Sequence, residues 1–168
     1  GGSSDAAAVL RALNRAFSAG LTRSQLEEIA LELGSDVPFC VTGGTVLCRG
    51  RGEIMTELPP MPECWTVICK PPFSISTPEL FSLANCAKIK NRPDTDGIVK
   101  GIERGDLGHI ARRIYNVLED FLPPQYSEVR EIKSKLIDLG ALGASMTGTG
   151  SAVFGLFEDR DAAQRAYN

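Results

Sequence analysis

Gly1-Gly2-Ser3-Ser4-Asp5-Ala6-Ala7-Ala8 opens the chain with a glycine pair and two hydroxyls that run straight into small, helix-compatible residues. Glycines let a backbone approach an anion closely. The free N–H groups of a helix's first turn, at the positive end of its dipole, favour negative charge there. Ser3 or Ser4 can either cap the helix or bind a phosphate or a metal ion. Two readings therefore stand on these eight residues: a loop that cradles phosphate, or an N-terminus with a serine cap.

Working outward, Val9, Leu10, Leu13, Ala16 and Phe17 recur at spacings of three and four, which predicts an amphipathic helix from Asp5 to about Ala19 with Gly20 as its stop. Thr22-Arg23-Ser24-Gln25 has the capping-box spacing, and Leu26, Ile29, Ala30 and Leu33 mark a second helix ended by Gly34. Gly34-Ser35-Asp36-Val37-Pro38-Phe39-Cys40 then puts a carboxylate just past a helix end, followed by a proline that fixes the local backbone. Val41 to Cys48 reads as a strand or hairpin with a Gly43-Gly44 turn. Asp36 is either a turn former or cap, or a carboxylate held at the rim of the site opened by the first loop.

Gly50-Arg51-Gly52-Glu53 reads as a tight turn, and Leu58-Pro59-Pro60-Met61-Pro62 is a stiff connector that divides the chain into 1–60 and 61–168. Trp65 to Cys69 suits a buried strand. Ser76-Thr77-Pro78-Glu79 starts a helix, with Thr77 as cap, Pro78 in the first turn and Leu80, Phe81 and Leu83 beyond. Asn91 to Asp96 is a polar loop, and Asp96 to Glu119 reads as helical with breaks at Gly101, Gly105 and Gly108. His109, the single histidine, reads as surface or core filler. Pro124 opens a helix that carries Val129, Ile132, Leu136 and Leu139 and stops at Gly140. Last comes Gly143-Ala144-Ser145-Met146-Thr147-Gly148-Thr149-Gly150-Ser151, ahead of the β-like run Ala152 to Phe157. Neither the third glycine of a dinucleotide fingerprint nor the lysine of a P-loop follows, so both of those readings are rejected.

With 168 residues and 43% hydrophobic composition, the chain can bury a respectable core in one large domain or two small ones. A net charge of −3 leaves no footprint for nucleic acid. No stretch approaches the ~20 apolar residues that span a membrane. The five cysteines, Cys40, Cys48, Cys64, Cys69 and Cys86, form no Cys-x-x-Cys pair, which argues against a disulfide framework and a zinc site and fits a reduced, cytoplasmic compartment. The chain starts inside a motif with no initiator Met and stops at Asn168 within a helix, so it is expected to be a piece of a longer protein.

Three stretches taken together, Gly1 to Ala8, Leu33-Gly34-Ser35-Asp36-Val37-Pro38-Phe39 and Met146-Thr147-Gly148-Thr149-Gly150-Ser151, resemble in order and spacing the small-molecule kinases of the GHMP superfamily. The first is similar to the end of their phosphate-loop motif and the last to their C-terminal glycine motif. The Gly-x-Asp-Val-Pro-Phe form resembles that of the branch in non-mevalonate isoprenoid (terpenoid) synthesis. That branch phosphorylates the 2-hydroxyl of a cytidine diphosphate sugar alcohol. The implied fold is α+β: residues 1–60 as the C-terminal part of a ribosomal-protein-S5-domain-2-like, ATP-binding and catalytic domain, and 61–168 as a ferredoxin-like GHMP kinase C-terminal domain.

The resemblance also implies roles. Asp36 matches the catalytic aspartate, which accepts or orients the proton of the attacking hydroxyl. Gly1, Gly2, Ser3 and Ser4 would hold the phosphates of ATP, with Mg²⁺ as its partner ion and no protein ligand assigned to the metal. Thr147, Gly148, Thr149 and Gly150 would lie against that loop and support it. Thr77 and Phe81, four apart on one helix face, match positions near the bound small-molecule substrate. Phe81 would stack on the cytosine, with core packing as its alternative. The family's catalytic lysine and base-reading residues have no match here, and Lys70, Lys88, Lys90 and Lys100 fill no such position, so this stretch alone is expected to be inactive. The same resemblance implies a cytoplasmic bacterial or plastid protein, monomeric or homodimeric. Two alternatives remain beside it: a homoserine- or mevalonate-type kinase of the superfamily, or a non-catalytic ligand-binding module that retains part of the fold.

Overall fold

The computed structural model describes residues 1–84, 87, 89 and 91–168, so Cys86, Lys88 and Lys90 lie outside the described residues. The chain divides into two compact units, Gly1–Pro60 and Met61–Asn168. Among the described residues the first is built around one apolar cluster and the second around two.

The first unit contains three helices and a hairpin: α1 (Gly2–Ala16), α2 (Arg23–Leu33), α3 (Val37–Thr42), β1 (Thr45–Arg49) and β2 (Ile54–Leu58). Ala7, Leu26, Ala30, Val37 and Val41 form its core. The small side chains of Ala7 and Ala30 leave no exposed surface at all, which allows the helices to approach closely. The capping box of α2 forms as read from the sequence, with Thr22 and Gln25 each satisfying the other's backbone N–H. Asn14 closes the α1–α2 turn by bonding both backbone groups of Leu21, at 2.9 and 3.0 Å.

Three expectations for this unit need correction. The helix expected to begin at Asp5 and run to about Ala19 starts at Gly2 and ends at Ala16. Its apolar stripe is only in part its buried face: Val9, Leu13 and Phe17 are exposed, while Leu10 packs against the cluster that Ala7 enters. Val41 and Thr42, read as strand from their β-branched side chains, are the last residues of α3. Val41 is buried in the helical core, and the Thr42 hydroxyl bonds the Pro38 carbonyl four residues back, so tertiary packing and a local bond outweigh propensity. The Gly43 and Gly44 turn, with φ of 71° and 72°, then feeds β1.

The second unit is α+β. A three-stranded antiparallel sheet is ordered β3 (Trp65–Cys69), β5 (Val153–Phe157), β4 (Gly143–Met146). The helices are α4 (Thr77–Leu83), α5 (Thr95–Arg104), α6 (Leu107–Ala111), α7 (Glu128–Asp138) and α8 (Arg160–Tyr167). Chain order β3, helices, β4, β5, α8, with the two outer strands flanking β5, is the βαββα portion of a ferredoxin-like arrangement. Phe157, Val153, Val129, Leu80 and Met146 fill the core against α7 and α8. Of the three glycines expected to break the 96–119 segment, Gly105 alone stops a helix; Gly101 lies within α5 and Gly108 within α6. The strand Trp65–Cys69 forms but is not buried: Val67 alone points into the core, because β3 is an edge strand with one face uncovered.

Between α6 and α7 a 3-10 turn, Val117–Phe121, carries the one buried carboxylate among the described residues. Glu119 accepts from Ser145 Oγ at 3.0 Å and from the Met146 N–H at 2.8 Å, and pairs with the ammonium of Lys133 on α7. Removing this carboxylate leaves the partly exposed ammonium of Lys133 without its partner and two donors without an acceptor, so Glu119→Ala is expected to cost about 2–4 kcal/mol in guanidinium unfolding. A loss under about 1 kcal/mol would show that the carboxylate is dispensable.

Asp94 caps α5, accepting from the Gly97 N–H at 3.0 Å and from Arg113 Nε at 2.9 Å. The Gly97 bond first, and Arg113 second, hold its carboxyl below the ordinary aspartate value. A carboxyl depressed in the folded state stabilises above the unfolded-state value and loses that contribution as pH falls through the folded one. The stability gap between wild type and Asp94→Ala is therefore expected to be widest near neutral pH and to narrow below about pH 3.9, measured by unfolding across a pH series. A gap that does not change with pH would remove the charge from the cap.

Candidate functional site

In the first unit, residues expected to form a phosphate loop are instead the opening turn of α1, with Gly1 alone outside the helix. Neither Ser3 nor Ser4 caps it: the Ser4 hydroxyl donates to the Gly1 carbonyl at 2.7 Å. The backbone N–H groups of that turn belong to the set that an α-helix leaves without internal acceptors. A helix of 15 residues backs them with its dipole, and the glycines at 1 and 2 add no side chain to obstruct an anion.

Asp36 occupies the N-cap position of α3 with φ −91° and ψ −9°, yet its carboxylate makes no capping bond and is exposed. The capping reading left open by the sequence thus does not apply to the side chain. The thiol of Cys48 on β1 is raised above its ordinary value by partial burial first and by the charge of Asp36 second. The turn that carries Asp36 is braced from behind by the β1–β2 hairpin. At Gly52, φ is +118° and a Cβ would sit 2.8 Å from the Ser35 carbonyl oxygen, so only glycine fits there. Arg11 of α1 reaches the Cys40 carbonyl at 2.6 Å and that of Val41 at 3.3 Å, satisfying the last turn of α3. Ala7 of α1 and Val37 and Val41 of α3 belong to one core cluster, so the two helices pack directly against each other.

In the second unit, Thr77 is the first residue of α4 and not its cap; Ser76 takes that position, accepting from the Glu79 N–H at 3.4 Å. The Thr77 hydroxyl is thereby released, and it lies 2.9 Å from the Thr149 hydroxyl. Two stretches 72 residues apart, both singled out in the sequence, are joined by that contact. Phe81 is 58% exposed and lies outside the core cluster, while its neighbour Leu80 anchors α4 in that core.

Residues 147–150 form the hairpin turn between β4 and β5. Gly150 has φ +88°, and a Cβ there would meet Met146 Sδ at 2.6 Å. Asn116 donates from Nδ2 to the carbonyls of Met146, at 2.9 Å, and Gly148, at 2.7 Å. The Ser151 hydroxyl donates to the Phe73 carbonyl at 2.6 Å. Asn116, Glu119, Gly52 and Arg11 were not visible as functional residues in the sequence. Only the glycine had a local signal, a turn motif, and nothing in that motif says what the turn rests against.

Among the described residues no group of three His, Cys, Asp or Glu side chains is placed to hold a metal ion. The exposed, uncapped carboxylate of Asp36 is an oxygen donor of the kind that suits Mg²⁺. Lys70 commits its ammonium to the carbonyls of Pro71 and Phe73, at 3.3 and 3.1 Å. Cys40, Cys48, Cys64 and Cys69 are free thiols. No helix among the described residues is long and apolar enough to cross a membrane.

A protein named 4-diphosphocytidyl-2-C-methyl-D-erythritol kinase from Geobacillus kaustophilus is 46% identical to this chain over 168 residues, 100% of this chain and 58% of that protein. One of the same name from Alkaliphilus metalliredigens is 41% identical over 167 residues, 99% of this chain and 57% of that protein. The chain thus spans somewhat more than half the length of these relatives. A crystal structure of 4-(cytidine 5'-diphospho)-2C-methyl-D-erythritol kinase superposes with a TM-score of 0.79 at 34% identity, covering 99% of this chain and 59% of that one. The homoserine kinase from Cytophaga hutchinsonii shares the fold, with a TM-score of 0.72 at 23% identity over 92% of this chain and 54% of that one. The family described as "GHMP kinases N terminal domain" matches residues 1–44, and "GHMP kinases C terminal" matches 98–168. With the two domains matched in order along a chain whose fold they share, this chain belongs to the GHMP kinases.

Proposed function

We propose that the protein, taken whole, transfers the γ-phosphoryl group of ATP to the 2-hydroxyl of 4-diphosphocytidyl-2-C-methyl-D-erythritol, a step of non-mevalonate isoprenoid synthesis. The observation that carries this reading is the exposed, uncapped carboxylate of Asp36 in its Gly-x-Asp-Val-Pro-Phe setting, within a chain 41–46% identical to relatives bearing that kinase's name.

Phosphoryl transfer asks little covalent chemistry of a protein and much positioning and charge neutralisation. Asp36 accepts the proton of the 2-hydroxyl as that oxygen forms its bond to the γ-phosphorus. The bond from phosphorus to the bridging oxygen breaks, and ADP leaves with the electron pair. Residues Gly1, Gly2, Ser3 and Ser4 offer first-turn N–H groups and hydroxyls to the phosphates. Mg²⁺, when bound on the nucleotide, supplies charge neutralisation at the phosphate oxygens. The turn of Thr147, Gly148, Thr149 and Gly150 supports nucleotide binding, its glycines permitting close approach of backbone to ligand. Thr77 and the exposed ring of Phe81 are the candidates for acceptor binding, the ring by stacking on cytosine. A homoserine-type acceptor is the second reading, favoured only by shared fold at low identity.

Asp36→Asn is expected to keep ATP affinity and to lose on the order of 10²-fold or more in turnover, measured on the protein expressed at the length of its natural gene. Turnover near that of wild type would remove Asp36 from the chemistry. Presented with the cytidylyl sugar alcohol, homoserine and mevalonate in parallel, the same protein is expected to phosphorylate only the first; preference for either other acceptor would overturn the substrate assignment.

A further inference from the structure

The turn 147–150 is at the surface, with Thr147 and Gly148 exposed, yet it is held far more firmly than a connecting turn requires. Both backbone groups of Met146 are committed to one neighbouring segment: its N–H donates to Glu119 and its carbonyl accepts from Asn116. The second Asn116 donor bond goes to Gly148, so the carbonyls on both sides of Thr147 are fastened to one amide. The remaining atom of that amide, Oδ1, accepts from the Leu118 N–H at 3.0 Å, which fixes the orientation of the group. On its far side the turn is tied by the Thr149 and Thr77 hydroxyls and by Ser151 to Phe73. Loops at surfaces are ordinarily the mobile part of a fold. Rigidity at an exposed turn is what a binding edge needs, because a pre-ordered backbone loses little entropy when its ligand arrives.

We infer that Asn116 is a positioning residue for nucleotide binding: its amide holds the 147–150 turn in the conformation that meets ATP, without touching the ligand itself. The inference rests on the nucleotide role given to that turn above. Asn116→Asp keeps the size of the side chain and the acceptor for Leu118, but sets one carboxylate oxygen against the Met146 and Gly148 carbonyls in place of the amide nitrogen that donates to both. The turn is then repelled where it was held, and a displacement on the scale of 1 Å at a positioning element can cost about 10²-fold.

The experiment uses the protein at the length of its natural gene, with ATP affinity measured by equilibrium dialysis in the absence of any acceptor, and KM for ATP and kcat measured with acceptor. For Asn116→Asp, dissociation constant and KM for ATP are expected to rise about 10-fold or more, while KM for the acceptor stays within about 2-fold. Asn116→Gln, which restores the donors on a longer arm, is expected to recover part of the loss. Val129→Ala supplies the control: it empties fully buried core of the same unit, lowers the melting temperature, and is expected to leave ATP affinity as in wild type. Should Asn116→Asp fail to fold, Asn116→Ser, which removes the amide that bonds both carbonyls, is expected to weaken ATP binding in the same direction. Wild-type ATP affinity in a folded Asn116 variant, or equal weakening by Val129→Ala, overturns the inference. Dialysis separates this outcome from failure of the acceptor assignment, since a protein that binds ATP but phosphorylates none of the three acceptors contradicts only the latter.

Discussion

The carboxylate of Glu119 is the point on which the second unit turns. It is buried, and the desolvation of a charge is tolerable only if partners replace the lost water. Lys133 supplies the opposite charge, while Ser145 and the Met146 backbone supply hydrogen bonds. These three partners come from a helix and from the end of a central-sheet hairpin, so one side chain fixes the relation of α7, β4 and the 3-10 turn. Because Asn116 begins that same 3-10 turn, whatever holds Glu119 in place also aims the amide that fastens turn 147–150. The order of dependence runs from a buried ion pair to a short helical turn to an exposed glycine hairpin.

The first unit solves a similar problem with shape in place of charge. Alanines at 7 and 30 let three helices pack closely, Arg11 closes the end of α3, and the absence of a side chain at Gly52 lets a hairpin press against the Ser35 carbonyl. Asp36 sits on a turn confined from both directions, so its exposed carboxylate is presented on a stiff support. This is the usual division of labour in a site: reactive groups on connections, positioned by rigid elements behind them.

Much of this was legible in the sequence, for reasons that differ between elements. The α2 cap was readable because a capping box is a contact between residues three apart, and Gly34 marked its end because helix stops are local. The α+β character of 61–168 was implied by the resemblance to the GHMP kinases, and its β3, α4 and α7 had local signals of their own. What the sequence misassigned was decided by distant contacts. Val41 and Thr42 became helix because α1 and α2 supply a core for them, and Trp65–Cys69 lost its burial because one face of an edge strand has nothing against it. The site residues divide in the same way. Gly1 to Ser4, Asp36, Thr77, Phe81 and Thr147 to Gly150 lie in recognisable short motifs, whereas Asn116 and Glu119 act across some 30 residues of chain and carry no pattern of their own.

The uncovered edge of β3 has a consequence for handling the polypeptide. Among the described residues, the strand pairs only with β5, so its other side offers a row of peptide N–H and carbonyl groups to solvent. Trp65 and Ile68 flank that row with 48% and 67% of their surface exposed. An extended edge with exposed apolar side chains is a template for adding a strand from another molecule. Self-association of this stretch, where it occurs, would run along β3 and so would rise with protein concentration.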